Sequence, residues 1–332
     1  MSKNRRDVLK LAAIAAASAA SVRYAGMARA EGIRMRGIFE TPMEEPFVTQ
    51  LHLAMTKVAG EMGIDYQHSE SVKAADFSRV LRQWCDEGVE LIVGDAYGTE
   101  QICRRVAEEF PKTAFTMGSA AGVTEPNFST FYGVTTEAAY LAGMLASWIS
   151  KSGKIGVVAG PAMPSTYGLL NAYRAGAKEI KPDVVFKAAY IGSFFDPPKA
   201  KEASIAMIEQ GVDVIYAERL GVIEACAEKG GYAIGNMTDQ SAINPKVVVT
   251  SVIWDPYPVI KAAAGQVKGG TYKAQDFSTL ENIANGGNYL SPFGAFDGEI
   301  SGDAKAGLKK RHEEIAAGTF TVPYDESETK SD

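Results

Sequence analysis

Residues 140–176 read YLAGMLASWISKSGKIGVVAGPAMPSTYGLLNAYRAG, and this stretch carries the clearest sign of the architecture. It opens with a helix whose small residues Ala142, Gly143 and Ala146 let a neighbour approach closely. It breaks at Lys151-Ser152-Gly153, resumes as a short apolar strand, turns at Gly160-Pro161 and enters a second helix. The break falls near the middle of the chain once an N-terminal leader is set aside. The half after the break repeats the order of the half before it: strand, polar loop, helix. Two similar α/β lobes are therefore expected to meet here, with a ligand held between them.

On the N-terminal side, the first half predicts strands over 33–39, 64–68, 89–93, 114–117 and 131–134, and helices over 47–62, 77–87, 99–109 and 137–150. The second half predicts strands over 155–159, 184–190, 212–216, 232–234 and 247–253, with helices over 165–180, 199–210, 221–229, 257–267 and 302–317. Leu51, Met55 and Val58 recur at helical spacing in the first of these helices. Short apolar strands alternating with amphipathic helices argue for parallel sheets covered on both faces, a doubly wound α/β fold in each lobe. The chain is expected to cross between lobes near Lys151, near Thr250 and again near Gly286. That assigns 31–150 plus 251–285 to one lobe and 151–250 plus 286–324 to the other, leaving 325–332 as a disordered polar tail. Ligands of such sheets sit outside the carboxyl ends of the strands, so the cleft is expected among strand-end loops at the multi-crossing hinge.

The 332 residues are 46% apolar and 22% charged, as in ordinary soluble globular chains. A net charge of −6 argues against nucleic acid or an anionic membrane as partner. The N-terminus differs from the rest. Arg5-Arg6 precede an Ala-rich run, 11–20, too short and too weakly apolar to span a bilayer, and Ala28-Arg29-Ala30 offers an A-x-A cleavage pattern. Residues 1–30 are read as a twin-arginine (Tat) export signal, with an ordinary Sec signal as the alternative. No cysteine sits at the cleavage site, so a soluble periplasmic protein without a lipid anchor is expected. Cys85, Cys103 and Cys226 are odd in number; Cys85 and Cys103 could pair, but free, buried thiols are the favoured reading. His52, His68 and His312 are scattered, and no Cys/His cluster suggests a metal site.

No nucleophile elbow, phosphate loop or zinc-binding H-E-x-x-H is present, and no catalytic residue or cofactor is assigned. Gly118-Ser119-Ala120-Ala121-Gly122 lacks a lysine and is followed by a loop. The strand ends instead carry aromatics, Phe47, Tyr97, Phe194, Phe195 and Trp254, mixed with Asp95, Asp196, Arg219, Asn236, Thr238 and Asp239. Each aromatic taken alone reads as core packing. On successive strand ends, aromatics with a few polar groups make a small-molecule site, where rings stack on a flat ligand and carboxylates or amides read its edge.

Several motifs occur in order: Tyr140-Leu141-Ala142-Gly143-Met144-Leu145-Ala146, Gly153-Lys154-Ile155-Gly156, Ala175-Gly176-Ala177, Gly192-Ser193-Phe194-Phe195-Asp196, Gly211-Val212-Asp213-Val214-Ile215-Tyr216, Ile234-Gly235-Asn236-Met237-Thr238-Asp239-Gln240 and Val249-Thr250-Ser251. Together, over about 33–317, they resemble the basic membrane protein (BMP) family, substrate-binding proteins of ABC transporters, often for purine nucleosides. The resemblance implies a type I periplasmic-binding-protein fold, closure of the lobes on a small heterocyclic ligand, and delivery to a permease driven by an ATPase; a monomer is expected. It places base-stacking aromatics on Phe47 and Phe195, a polar pair on Gly94-Asp95, a glycine loop around Arg219 and Gly221, and the acidic positions on Asn236 and Thr238-Asp239. The expected ligand set is Phe47, Gly94, Asp95, Tyr97, Phe195, Asp196, Arg219, Asn236, Asp239 and Trp254, with Tyr97, Asp196 and Trp254 taken from the strand-end reading.

The chain departs from the family's nucleoside receptors. The first loop reads Thr41-Pro42-Met43-Glu44-Glu45-Pro46-Phe47 rather than an Asp-x-x-Phe-Asn type motif; Asn236 replaces an Asp, and Trp254 stands where a Lys is usual. These changes weaken a ribose contact and favour a bare base such as adenine slightly over a nucleoside. Two alternatives stay open: a sensor subunit coupled to a membrane receptor, and a periplasmic nucleoside hydrolase. The hydrolase would need Glu40, Glu44 and Glu45 as its acidic cluster, and those residues read more simply as a solvated loop.

Overall fold

A computed structural model describes residues 32–133 and 135–332; the expected export signal lies outside the described residues. The first lobe is built from β1 (Arg34–Ile38), α1 (Pro46–Met62), β2 (Asp65–Ser69), α2 (Ala74–Asp86), β3 (Leu91–Asp95), α3 (Glu100–Glu109), β4 (Ala114–Gly118) and β5 (Phe128–Phe131). Its five strands pair in the order β2-β1-β3-β4-β5, all parallel. The central strand β3 is buried along nearly its whole length, which is why Leu91, Ile92 and Val93 form a continuous apolar run. The helix α1 begins with Pro46 in its first turn, is capped by the Glu45 carboxylate accepting from Val48 N at 3.2 Å, and ends at Gly63 with φ 66°.

The second lobe holds α4 (Thr136–Ile149), β6 (Lys154–Ala159), α5 (Pro164–Ile180), β7 (Val185–Tyr190), α6 (Pro197–Glu209), β8 (Val214–Tyr216), α7 (Val222–Lys229), β9 (Tyr232–Met237) and β10 (Val248–Trp254). After α8 (Tyr257–Lys268) the chain returns to it with β11 (Asn288–Leu290) and α9 (Gly302–Ala316). The sheet order is β11-β10-β9-β8-β6-β7. Its five parallel strands repeat the first lobe's order, and β11 adds an antiparallel edge. The lobes exchange helices. The helix after β5, α4, lies on α5 of the second lobe, and the helix after β10, α8, buries Val259, Ile260, Ala263 and Ala264 against Leu51, Met55 and Val58 of α1.

The α4–α5 contact is backbone to backbone. A Cβ on Gly143 would lie 1.9 Å from Tyr173 O, and one on Gly176 would lie 1.9 Å from Tyr140 O. Both glycines are therefore sterically required where the helices cross. This contact moves the first crossing. The helix expected to close the first lobe belongs by packing to the second, and the chain crosses before it, through Tyr132 and Gly133. Lys151-Ser152-Gly153 is instead a loop inside the second lobe, where Lys151 N and Ser152 N both donate to Asp213 Oδ2 at 2.8 Å. The second crossing also differs from expectation: β10 pairs with β9 through Ile253, so the chain leaves this sheet after Trp254. The return passes residues 283–287, just before β11.

The buried Glu281 joins all three crossings. Its carboxylate accepts from Tyr132 N and Gly133 N at 2.8 Å each and from Trp254 Nε1 at 2.9 Å. The strand expected over 131–134 lies earlier, at Phe128–Phe131, and the three-residue β11 was too short to read from the sequence. The polar tail, expected to be disordered, instead lies along β7. Asp332 N donates to Phe186 O at 2.9 Å, Ala188 N donates to Ser331 Oγ at 3.0 Å, and Asp332 pairs with Arg174 and Lys178. An edge strand leaves backbone groups unpaired, and the tail satisfies them. Cys85, Cys103 and Cys226 are free and buried. Among the described residues no helix is long and apolar enough to cross a membrane.

Candidate functional site

The carboxyl ends of β1 and β3 face those of β6, β7, β8 and β9 across a cavity of about 150 Å³. These are the points where strand order reverses in each sheet, the usual place for a ligand in such folds. From the first lobe, Glu40, Glu45 and Phe47 follow β1, and Asp95, Tyr97 and Gly98 close β3. The Phe47 ring stacks on Trp254 with centroids 4.7 Å apart and planes 8° apart, and Tyr97 meets it edge-on at 6.5 Å. Gly118 and Gly133 leave room for that ring, since Cβ atoms there would sit 3.2 and 3.1 Å from it. Tyr97 donates its hydroxyl to Tyr132 O at 2.8 Å.

The second lobe supplies Met163, Ser165, Thr166 and Leu169 around the start of α5, Phe194 after β7, Glu218 and Arg219 after β8, and Met237 at the end of β9. Thr135 and Thr136 line the hinge side. Groups from the two lobes already touch: Gln50 Nε2 donates to Met237 O at 2.7 Å, and the Tyr97 and Phe194 rings lie 6.4 Å apart.

The charge balance of the cavity is lopsided. Arg219 donates Nε to Glu218 Oε2 at 2.7 Å and Nη2 to Glu218 Oε1 at 2.5 Å. Its Nη1 donates to Phe194 O at 2.7 Å and lies 3.5 Å from Glu45 Oε1. The guanidinium is thus committed to the protein, while Glu40, Glu45 and Asp95 remain on the wall. Burial pushes the Asp95 carboxyl up to about 7, with the Glu40 and Glu45 charges adding to it. Burial raises Glu45 as well, opposed by Arg219, and raises Glu40, opposed by hydrogen bonds from Thr99 and Gly98. Gly98 lets that carboxylate lie close, since a Cβ would come within 2.3 Å of a Glu40 carboxylate oxygen and displace it. Such a cavity can take a flat, apolar body with N–H donors and offers no uncommitted cation to an anion.

Of the residues expected at the site, the structure brings Phe47, Asp95, Tyr97 and Arg219 onto the cavity wall. The other six lie off it. Gly94 is a packing position, where a Cβ would meet Ile38 O at 2.1 Å. Phe195 is not part of the wall, and its neighbour Phe194 takes that place. Asp196 caps α6 by accepting from Lys199 N at 3.2 Å. Asn236 is buried, accepting from Tyr216 O–H at 2.5 Å and donating to Glu218 O at 3.2 Å. Asp239 accepts from Ser241 N in an exposed turn. Trp254 is fully buried behind Phe47 and supports it from the rear.

The sequence reading missed Glu218, Leu169 and Tyr324 as lining residues, and it treated Glu40 and Glu45 as part of a solvated loop. Glu45 is buried as a helix cap and Arg219 partner; Glu44 alone of the three is exposed. The available signal was Glu45 directly before Pro46, a residue that favours the first helical turn.

Two α/β lobes with a cleft at the strand switch points define the class: the fold of type I periplasmic binding proteins. Residues 40–278 match the family model described as Bmp, ABC transporter substrate-binding protein PnrA-like, and the chain belongs to that family. It is 28% identical over 216 residues to a Haloferax volcanii protein provisionally named ABC transporter glucose-binding protein TsgA13, covering 64% of this chain and 55% of that one. It is 28% identical over 241 residues to a purine-binding protein of Brucella abortus, covering 65% of this chain and 68% of the relative. The chain thus spans between about half and two thirds of the length of these curated relatives. A solved ABC transporter solute-binding protein from Aeropyrum pernix K1 superposes with a TM-score of 0.76 at 20% identity, over 88% of this chain and 94% of that one.

Proposed function

We propose that the chain is the periplasmic solute-capturing subunit of an ABC importer, and that its cleft takes a purine-type ligand, a nucleobase such as adenine or a nucleoside. The flat ring lies among Phe47, Tyr97 and Phe194, and its N–H groups donate to Asp95 and the neighbouring glutamates. A permease and an ATPase complete the importer, and the Tat pathway exports the chain. The observation that carries this reading is the cavity wall itself: aromatic rings, Phe47, Tyr97 and Phe194 among them, beside carboxylates, with its arginine committed to Glu218.

Two relatives pull toward different ligands, glucose and a purine. The wall favours the purine. A sugar presents a hydroxyl on nearly every carbon, and each buried hydroxyl left without a partner costs roughly 1–3 kcal/mol. Met163, Leu169, Met237 and the rings cover flat apolar faces, where a sugar would bury hydroxyls without partners, and the carboxylates and threonine and serine hydroxyls of the wall are left for a ligand's edges. A purine buries two apolar faces and concentrates its polar groups at its edges. Thermal-shift screening tests this. A purine at about 100 times its dissociation constant should add about 2.7 kcal/mol of stability. No shift with any nucleobase or nucleoside would refute the reading.

A further inference from the structure

We infer that the terminal segment, residues 324–332, is a strap that completes the cleft, and that Tyr324 on it is a specificity-determining wall residue. The inference rests on reading the cavity as the ligand cleft. Tyr324 lines that cavity although 54% of it is exposed. Its ring lies against α5 at Gly168, where a Cβ would approach it to 2.5 Å. Its hydroxyl donates to Glu326 Oε1 at 2.7 Å, and the Tyr132 hydroxyl reaches the same oxygen at 3.4 Å. Tyr132 belongs to the first crossing between the lobes and also lines the cavity. The strap therefore ties the second lobe's rim to the hinge.

Its polar composition alone would leave the segment solvated. What holds it is a chain of specific anchors beyond Glu326. Asn171 Nδ2 donates to Asp325 O at 2.8 Å and Ser327 O at 2.9 Å. Thr329 is 2% exposed and donates to Asn171 Oδ1 at 2.9 Å. The last residues pair with β7 through Ser331 and Asp332. The matched family region ends at residue 278, so this strap lies outside it. A wall residue carried by a surface segment can differ between proteins without disturbing the sheets, which makes it a natural place to set ligand choice.

The test is titration calorimetry with adenine, adenosine and guanosine on the full chain and three variants. Tyr324→Ala removes the ring. Gly168→Ala displaces it while raising helix propensity, so loss of binding there is not loss of folding. The third variant ends at Pro323. Each should weaken the tightest of the three probes by about fivefold or more. Wild-type affinity in both Tyr324→Ala and Gly168→Ala would overturn the strap's role. If the wild-type chain binds none of the probes, the purine reading fails instead. Amide hydrogen exchange at Tyr132 and Gly133 then decides the strap separately: faster exchange in Tyr324→Ala and in the shortened chain supports it, and unchanged exchange overturns it.

Discussion

Phe194 and Phe195 are adjacent, similarly exposed at 37% and 38%, and only the first lines the cavity. A pair this closely matched separates stacking from surface packing. Phe194→Ala should weaken a purine ligand by on the order of 1 kcal/mol or more, while Phe195→Ala leaves affinity within about twofold. Calorimetric titration of both variants checks this, and equal losses would remove Phe194 from its role. Asp95 gives a second prediction, in pH. Its carboxyl rises from an ordinary 3.8 to about 7, so the folded chain holds a proton that the unfolded chain releases. The stability from this group is present at low pH and is lost as pH rises from about 4 through about 7. Asp95→Asn removes the titration, so the ligand-free variant should gain on the wild type between pH 5 and pH 8, by on the order of 1 kcal/mol or more. Parallel melting curves across that range would contradict the assignment. Neither residue's placement was fully legible in the sequence. Strand-end position pointed to both, but a one-residue difference in which ring joins the wall is set by the loop's path, and burial of three carboxyls together is a tertiary fact.

Among the elements, the α4–α5 pair organises the molecule. The small-residue pattern in 140–176 correctly marked a close helix contact, and the structure gives it a partner: Gly143 and Gly176 each meet the other helix's backbone at a distance no Cβ allows. Gly143→Ala should therefore cost about 2 kcal/mol or more in urea unfolding, since the clash is with a carbonyl that cannot swing away. Gly60→Ala on α1, with open space around its Cβ position, should be neutral or stabilising by up to about 1 kcal/mol. Similar losses at both sites would mean that the two helices can move apart at little cost. The order of strands and helices was readable because periodicity and turn residues are local signals. The sheet to which α4 and β10 attach was not, because a fully buried strand such as Val248–Trp254 carries no mark of its partner.

Across the molecule as a whole, each lobe lends the other a helix, and the three segments of chain that pass between them converge on Glu281. The cleft lies beside this junction, lined by Tyr132, Gly133 and Thr135 from the first crossing. A ligand held by both lobes would thus sit against the segments that join them. The terminal tail belongs to the same arrangement, although its composition read as disorder; its anchors are long-range and leave no local pattern. That the aromatic, acid-bearing cleft selects a purine-type ligand can be checked in one experiment. The ligand-stripped chain, after unfolding and refolding, is titrated with adenine, adenosine, guanosine and glucose side by side. At least one purine should bind with a dissociation constant on the order of 1 μM or tighter, about −8 kcal/mol, and glucose should give no measurable heat. Binding of glucose with no response to any purine would contradict the assignment of the cleft.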